Sequence, residues 1–183
     1  MSDVAHALLG ASSAHRWLNC PGSVLLTADL PDTTSEYSAE GTLAHEVCEA
    51  YARNALARKG FRVVSPTLDT PQDDAPDEMK ACAQTYLEAI LDAAADLGET
   101  PYIALEQRVD YSRWVPDGFG TADCVIIGTR IMHVIDYKHG KGVRVDAEDN
   151  PQLMLYALGA LARYSALYDI TRVRWSIVQP RNG

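Results

Sequence analysis

The sequence has no uninterrupted apolar run of about 18 residues and no basic segment leading into an apolar signal core, so no stretch reads as a membrane span or a secretory leader. A cytoplasmic location and no membrane partner are expected. The four cysteines, Cys20, Cys48, Cys82 and Cys124, contain no Cys-x-x-Cys pair, which argues against a zinc ribbon and against a disulfide framework. Basic charge is scarce: 16 Lys and Arg face 25 Asp and Glu, a formal net charge of −9 that repels nucleic acid as a whole. Gly140-Lys141-Gly142 lacks the further glycines of a phosphate-binding loop and precedes no immediate helix, which weighs against a nucleotide-binding enzyme of that kind. There is also no internal repeat and no low-complexity tract.

What remains is the composition of one globular unit. A chain of 183 residues with 47% apolar and 22% charged residues can bury a full core, so one domain over 1–183 is the expectation. The charge is divided unevenly. Residues 1–100 carry 6 basic against 16 acidic side chains, while residues 101–183 carry 10 against 9. The first part reads as mainly helical, with helices near 12–18, 37–59 and 76–97 and a loop rich in Pro and Asp over 65–77. The second part reads as strands 102–111, 120–128 and 131–138, a helix over 151–166 and a return strand 172–179. Strands followed by a helix and a return strand predict a mixed α/β sheet with a right-handed crossover.

The densest chemistry lies between Gly120 and Tyr156. Two strand-like runs, Gly-Thr-Ala-Asp-Cys-Val-Ile-Ile and Ile-Met-His-Val-Ile-Asp-Tyr-Lys, flank Gly128-Thr129-Arg130, which reads as a short hairpin turn. Alternation places Asp136 and Lys138 on one face, roughly 7 Å apart along the strand, with Ile135 and Tyr137 on the other. The hairpin returns Asp123 to the end of the sheet that holds Asp136. Two semi-buried carboxylates repel, which raises one pKa or recruits a cation, and hard oxygen ligands favour Mg²⁺ or Mn²⁺. A neighbouring lysine can orient a water or share charge on phosphate. Taken singly, an Asp-x-Lys strand end reads as a surface strand end with a solvated salt bridge.

Two helices add to the pattern. Residues 40–51 are helical in character and set His45 on one face with Cys48 and Glu49. That histidine is a metal-ligand candidate, or a packed helix residue. Asn150 is an N-cap candidate and Pro151 a first helical residue, so Gln152 and Tyr156 share a face of the following helix. On its own, that pair is a polar helix start and a core tyrosine.

Together these residues resemble the PD-(D/E)XK nuclease superfamily, in its RecB-type exonuclease branch. The likeness rests on Gly41-Thr42-x-x-His45, on Gly120-Thr121-Ala122-Asp123, on Asp136-Tyr137-Lys138 and on Gln152-x-x-x-Tyr156, in that order over about residues 8–180. The opening Ser12-Ser13-Ala14-His15-Arg16-Trp17-Leu18-Asn19-Cys20-Pro21-Gly22-Ser23 is similar to that of an uncharacterised phage and prophage family of the branch. The resemblance implies a restriction-endonuclease-like mixed sheet flanked by helices, with residues 101–183 as catalytic core and the helical part carrying the histidine motif. It implies Mg²⁺ or Mn²⁺ on His45, Asp123, Asp136 and the Tyr137 carbonyl, with Lys138 as catalytic lysine. Gln152 and Tyr156 would support the site and contact the strand, and Glu106 would line the cleft. The implied activity is exonucleolytic DNA hydrolysis in phage replication or recombination, leaving a 5′-phosphate and a 3′-hydroxyl, in the host-cell cytoplasm.

The implied partners are DNA and a phage recombination or single-strand-binding protein. Some members of the branch hold a [4Fe-4S] cluster on one cysteine in a Cys-Pro context like Cys20-Pro21 and three after the core. No such trio follows here, so a cluster is expected only in a longer chain, and Cys20 is expected to be a buried small residue. The end just after the strand 172–179 is consistent with a shortened form. Lys141, Arg144, Arg172, Arg174 and Arg181 are candidates for a basic rim on the core, with Arg16 and His15 approaching from the front. Two other roles fit the same residues less fully: a catalytically silent fold-mate that binds DNA ends or a recombination partner, and an acidic protein-binding face or DNA mimic.

Overall fold

The structure, a computed structural model, describes residues 7–28, 36–66, 74–98 and 100–182. A 3-10 turn at Ala11–Ser13 leads into two short helices, α1 (Ala14–Asn19) and α2 (Gly22–Ala28), and then into the long α3 (Glu36–Arg58). A two-residue strand β1 (Val63–Val64) precedes α4 (Asp77–Leu97), and β2 (Tyr102–Asp110), β3 (Phe119–Ile127) and β4 (Ile131–Tyr137) follow as a meander. Helix α5 (Pro151–Tyr164) then crosses to β5 (Arg172–Val178). The loop expected over 65–77 falls partly outside the described residues. The helical half supplies α2 and β1, neither of which the sequence signalled.

The sheet has five strands in the order β1-β2-β3-β4-β5, with β1 parallel to β2, the meander antiparallel, and β5 parallel to β4. It is a mixed sheet flanked by helices. A helical crossover is what a parallel neighbour requires, since a tight turn cannot reverse the chain twice. Helices α3 and α4 cover one face through Leu56, Tyr86, Ile90, Ile103, Leu105, Ile126 and Ile135. Helix α5 and the N-terminal turn cover the other through Ala14, Val109, Val125, Val134, Leu153 and Ala160. Among the described residues no helix is long and apolar enough to cross a membrane.

One irregularity in this sheet positions the site. Along β2, Ile103 and Leu105 pack under α3 and α4, whereas Val109, of the same parity, packs under α5. Along β3, Cys124 and Ile126 face α3 and α4, whereas Ala122, again of the same parity, faces α5. Both strands change face at one level without losing register, since Leu105 pairs Cys124 and Gln107 pairs Ala122. The residue at the change on β2 is Glu106, with φ +47. A non-glycine residue in the left-handed region is strained by roughly 1–3 kcal/mol, and such strain concentrates at functional sites.

Candidate metal centre

Glu106 and Asp123 stand opposite one another where β2 and β3 change face, and their carboxylates gather with the His45 imidazole from α3. His45 Nδ1 lies 3.5 Å from Asp123 Oδ1 and 3.7 Å from Glu106 Oε1. One ligand atom from each of the three residues lies within 4.8 Å of the others, close enough to converge on a single cation. The His45 ring is seated edge-on against Tyr137, with centroids 5.4 Å apart, and Tyr137 leans in turn on Tyr86 of α4. The helical layer therefore delivers the histidine to the sheet.

Asp136 comes up beside this group on β4, because Cys124 pairs with Ile135 and so sets residue 123 against residue 136. The Tyr137 N–H donates to Asp123 Oδ2 at 2.6 Å, so the carboxylate takes an amide near the end of the ladder. Lys138 Nζ sits 3.0 Å from Asp136 Oδ2 and donates to Gln152 Oε1 at 2.9 Å. Gln152 Nε2 donates to Asp136 Oδ1 at 3.1 Å and to the Tyr156 hydroxyl at 3.3 Å.

Gln152 owes its position to the helix start: Asn150 Oδ1 accepts from the amides of Gln152 and Leu153 at 3.1 and 3.2 Å, and Pro151 occupies the first turn. Gly120 leaves room for Tyr156. A Cβ there would stand 2.7 Å from its ring.

The electrostatics are compatible with a cation at this point. Burial pushes the Asp123 carboxyl above its usual range, opposed chiefly by His45, and pushes Asp136 up as well, reinforced by the charge of Asp123. Burial alone would lower the His45 pKa, yet Asp123, Glu106 and Asp136 together raise it to about 9. Protonated His45 is thus the counter-charge of the carboxylates, a part that a divalent ion can take over. The Asp136 Oδ2 atom is buried and makes no well-formed hydrogen bond despite the nearby lysine. Uncompensated lone pairs on a buried carboxylate fit a cation site.

All eight residues expected from the sequence lie around this one centre. The geometry gives them different weights. Glu106, expected only to line the cleft, joins His45 and Asp123 as the closest group, whereas Asp136 is held by Lys138 and Gln152. Tyr137 reaches the site through its amide and ring. Sequence reasoning missed His139, whose Nδ1 lies 2.8 Å from the Tyr137 hydroxyl; its i, i+2 spacing from Tyr137 was the available signal.

Two expectations do not hold. The basic rim does not form. Lys141 and Arg181 are tied to Glu78 and Glu40, and Arg174 to Asp96. Arg172 and Arg174 pair with Ile131 and His133, at the end of β5 away from the carboxylates. The strand reading could not show this, because ion pairing between distant elements leaves no local pattern. Cys20, expected to be buried, is exposed, while Cys48, Cys82 and Cys124 are buried.

Residues 6–183 match the family described as Protein of unknown function (DUF2800). The chain belongs to that family. No solved structure matches it. The family description assigns no chemistry to its members.

Proposed function

We propose that the chain is a Mg²⁺- or Mn²⁺-dependent deoxyribonuclease of restriction-endonuclease-like fold, a PD-(D/E)XK protein of the RecB-type branch that trims DNA ends in phage replication or recombination. The observation that carries this reading is the junction of two groups of residues. A His45, Glu106 and Asp123 cluster fit for a hard cation lies against Asp136, Lys138 and Gln152, which form one hydrogen-bonded chain. Solvated surface acids have no need of a half-buried lysine partner held by a capped helix. Part of the net charge of −9 is the proposed site itself, Glu106, Asp123 and Asp136.

His45, Glu106 and Asp123 would hold the ion, with Asp136 beside them. When bound, the ion supplies positive charge to a phosphate oxygen and makes a water acidic enough to attack. The residues of the chain do the rest. Lys138, 27% exposed, has its ammonium at the mouth of the site, where it can orient the attacking water and balance charge developing on phosphate. Gln152 fixes that ammonium and Asp136 at once, and so sets the distance between the two. The buried Tyr156 hydroxyl has its pKa raised by burial and stays neutral, a hydrogen-bonding group rather than a base.

The test is degradation of end-labelled linear and circular DNA with Mn²⁺ at low salt, by the wild type and by Lys138→Ala. Cleavage that requires both the metal and Lys138, falling about 10²- to 10⁴-fold in the variant, supports a nuclease. Sparing of the circles makes it an exonuclease. An inert, folded wild type that still binds Mn²⁺ would point to the silent DNA-end-binding or partner-binding role instead.

A further inference from the structure

A second cluster of charge lies beyond the carboxylates, at the open edge of β2. Strand β1 covers only Ile103 and Ala104, so among the described residues β2 from Leu105 to Asp110 pairs on its β3 side alone. Along this edge a cavity of about 440 Å³ opens between the end of β2, the connection to β3, and the second half of α5; its walls include Arg108, Asp110, Ser112, Arg113, Gly159 and Arg163. Three arginines thus converge on one concavity in a chain of net charge −9.

Each of the three lies near an aromatic ring. The Arg108 guanidinium lies 3.8 Å from the centre of the Phe119 ring, and those of Arg113 and Arg163 lie 5.7 Å from the rings of Trp114 and Tyr164. At 3.8 Å the Arg108 guanidinium is close enough to stack on its ring, whereas the two longer contacts are looser cation–π approaches. Among the described residues none of the three forms an ion pair, in contrast to Lys141, Arg174 and Arg181. The one carboxylate in the walls, Asp110, accepts from the amide of Ser112 at 2.8 Å and also feels the charge of Arg108, so one negative charge stands beside the three positive ones. Gly159 keeps the helix close, since its Cβ position lies 3.0 Å from Val109 Cβ.

We infer that Arg108, Arg113 and Arg163 form a phosphate-binding cleft that holds the backbone of the DNA strand leading away from the metal centre. This inference rests on the proposed nuclease reading for its ligand. Arg108 follows Glu106 by two residues of strand, roughly 7 Å, and Asp110 by four, roughly 13 Å. At the roughly 3.4 Å of axial rise per phosphate of a strand in a duplex the cleft would span about two to four phosphates adjoining the reacting one, and fewer along an extended single strand. Guanidinium groups suit this work because their paired donors match phosphate oxygens. The acidic remainder of the surface would keep the strand in this channel.

Binding of a fluorescein-labelled single-stranded 20-nucleotide DNA is measured by anisotropy in EDTA, between 50 and 200 mM salt, which separates it from cleavage. The proteins are the wild type, the triple variant Arg108→Gln, Arg113→Gln, Arg163→Gln, each single variant, and Arg172→Gln at the far end of the sheet, with melting curves to check folding. All three side chains are exposed, so folding should change little. The triple variant should bind about 10- to 100-fold more weakly at 50 mM salt. Its slope of log affinity against log salt should be smaller by about 2, near 0.7 for each phosphate that an arginine no longer neutralises. Arg172→Gln should match the wild type. An unchanged slope in a folded triple variant, an equal loss in Arg172→Gln, or no DNA binding by the wild type at 50 mM salt overturns the cleft. Intact arginine-dependent binding by a protein that never cleaves would overturn the nuclease reading and leave the cleft standing.

Discussion

Asp123→Asn should make the metal-free protein more stable while abolishing its response to metal. Asp123 is 7% exposed, its pKa is raised by burial, and it sits beside Glu106 and Asp136 with His45 as its main counter-charge. An asparagine keeps an oxygen for the Tyr137 N–H, which donates at 2.6 Å in the wild type, and removes the buried charge. Holding an incompletely compensated carboxylate in such a place costs on the order of 1–3 kcal/mol, so relief of that cost should raise Tm by roughly 2–12 °C at pH 8 for a domain of this size. In the wild type, metal at about 100 times its Kd should add about 2.7 kcal/mol, or roughly 5–11 °C. The variant should show neither that gain nor cleavage. Differential scanning fluorimetry at pH 8, with EDTA and with a Mn²⁺ titration, reads both quantities. A variant less stable than the wild type in EDTA, or one that keeps the Mn²⁺ shift, would show that Asp123 is a structural acid and refute the reasoning.

The same site predicts a pH dependence. His45, Asp123 and Asp136 all have folded-state pKa values above their unfolded ones. The folded protein therefore binds more protons, so stability without metal should fall as pH rises from about 4, where unfolded carboxyls titrate, to about 9, where His45 loses its proton. Mn²⁺ affinity, measured by calorimetry, should rise over the upper part of that range, and affinity independent of pH between 6 and 9 would exclude His45 as a ligand. Glu106→Gly should relieve the left-handed strain at φ +47 and stabilise the metal-free protein by up to about 1 kcal/mol in urea unfolding, while weakening Mn²⁺ binding; unaltered metal affinity would remove Glu106 from the ligand set. Gly120→Ala should drive a methyl to 2.7 Å from the Tyr156 ring and cost about 1–3 kcal/mol, with cleavage reduced more than Mn²⁺ binding; wild-type stability and activity together would mean that Tyr156 is free to move.

Much of the site was legible because it is local. The β3 and β4 hairpin, the shared face of Asp136 and Lys138, and the helix start at Asn150 and Pro151 follow from strand alternation and from the capping of orphan amides, which act within a few residues. The spacing of Gln152 and Tyr156 by one helical turn put both toward Asp136 in the same way. Helix α2 and strand β1 escaped notice, being short and weakly periodic. The basic rim failed because Arg181 finds its partners Glu40 and Glu78 more than a hundred residues away in sequence.

Local order along the chain specifies which chemistry is available: two aspartates and a lysine on one hairpin, a glutamine and a tyrosine on one helix face, and a histidine on another helix. How they combine follows from the packed fold. The change of face at Glu106 and Asp123, the seating of His45 on Tyr137, and the gathering of Arg108, Arg113 and Arg163 at one edge depend on packing between elements distant in the chain. The physical reason is one of range. Backbone periodicity and caps are set by neighbours in sequence, whereas a strained dihedral, a raised pKa or a stacked guanidinium is set by whatever the fold brings alongside.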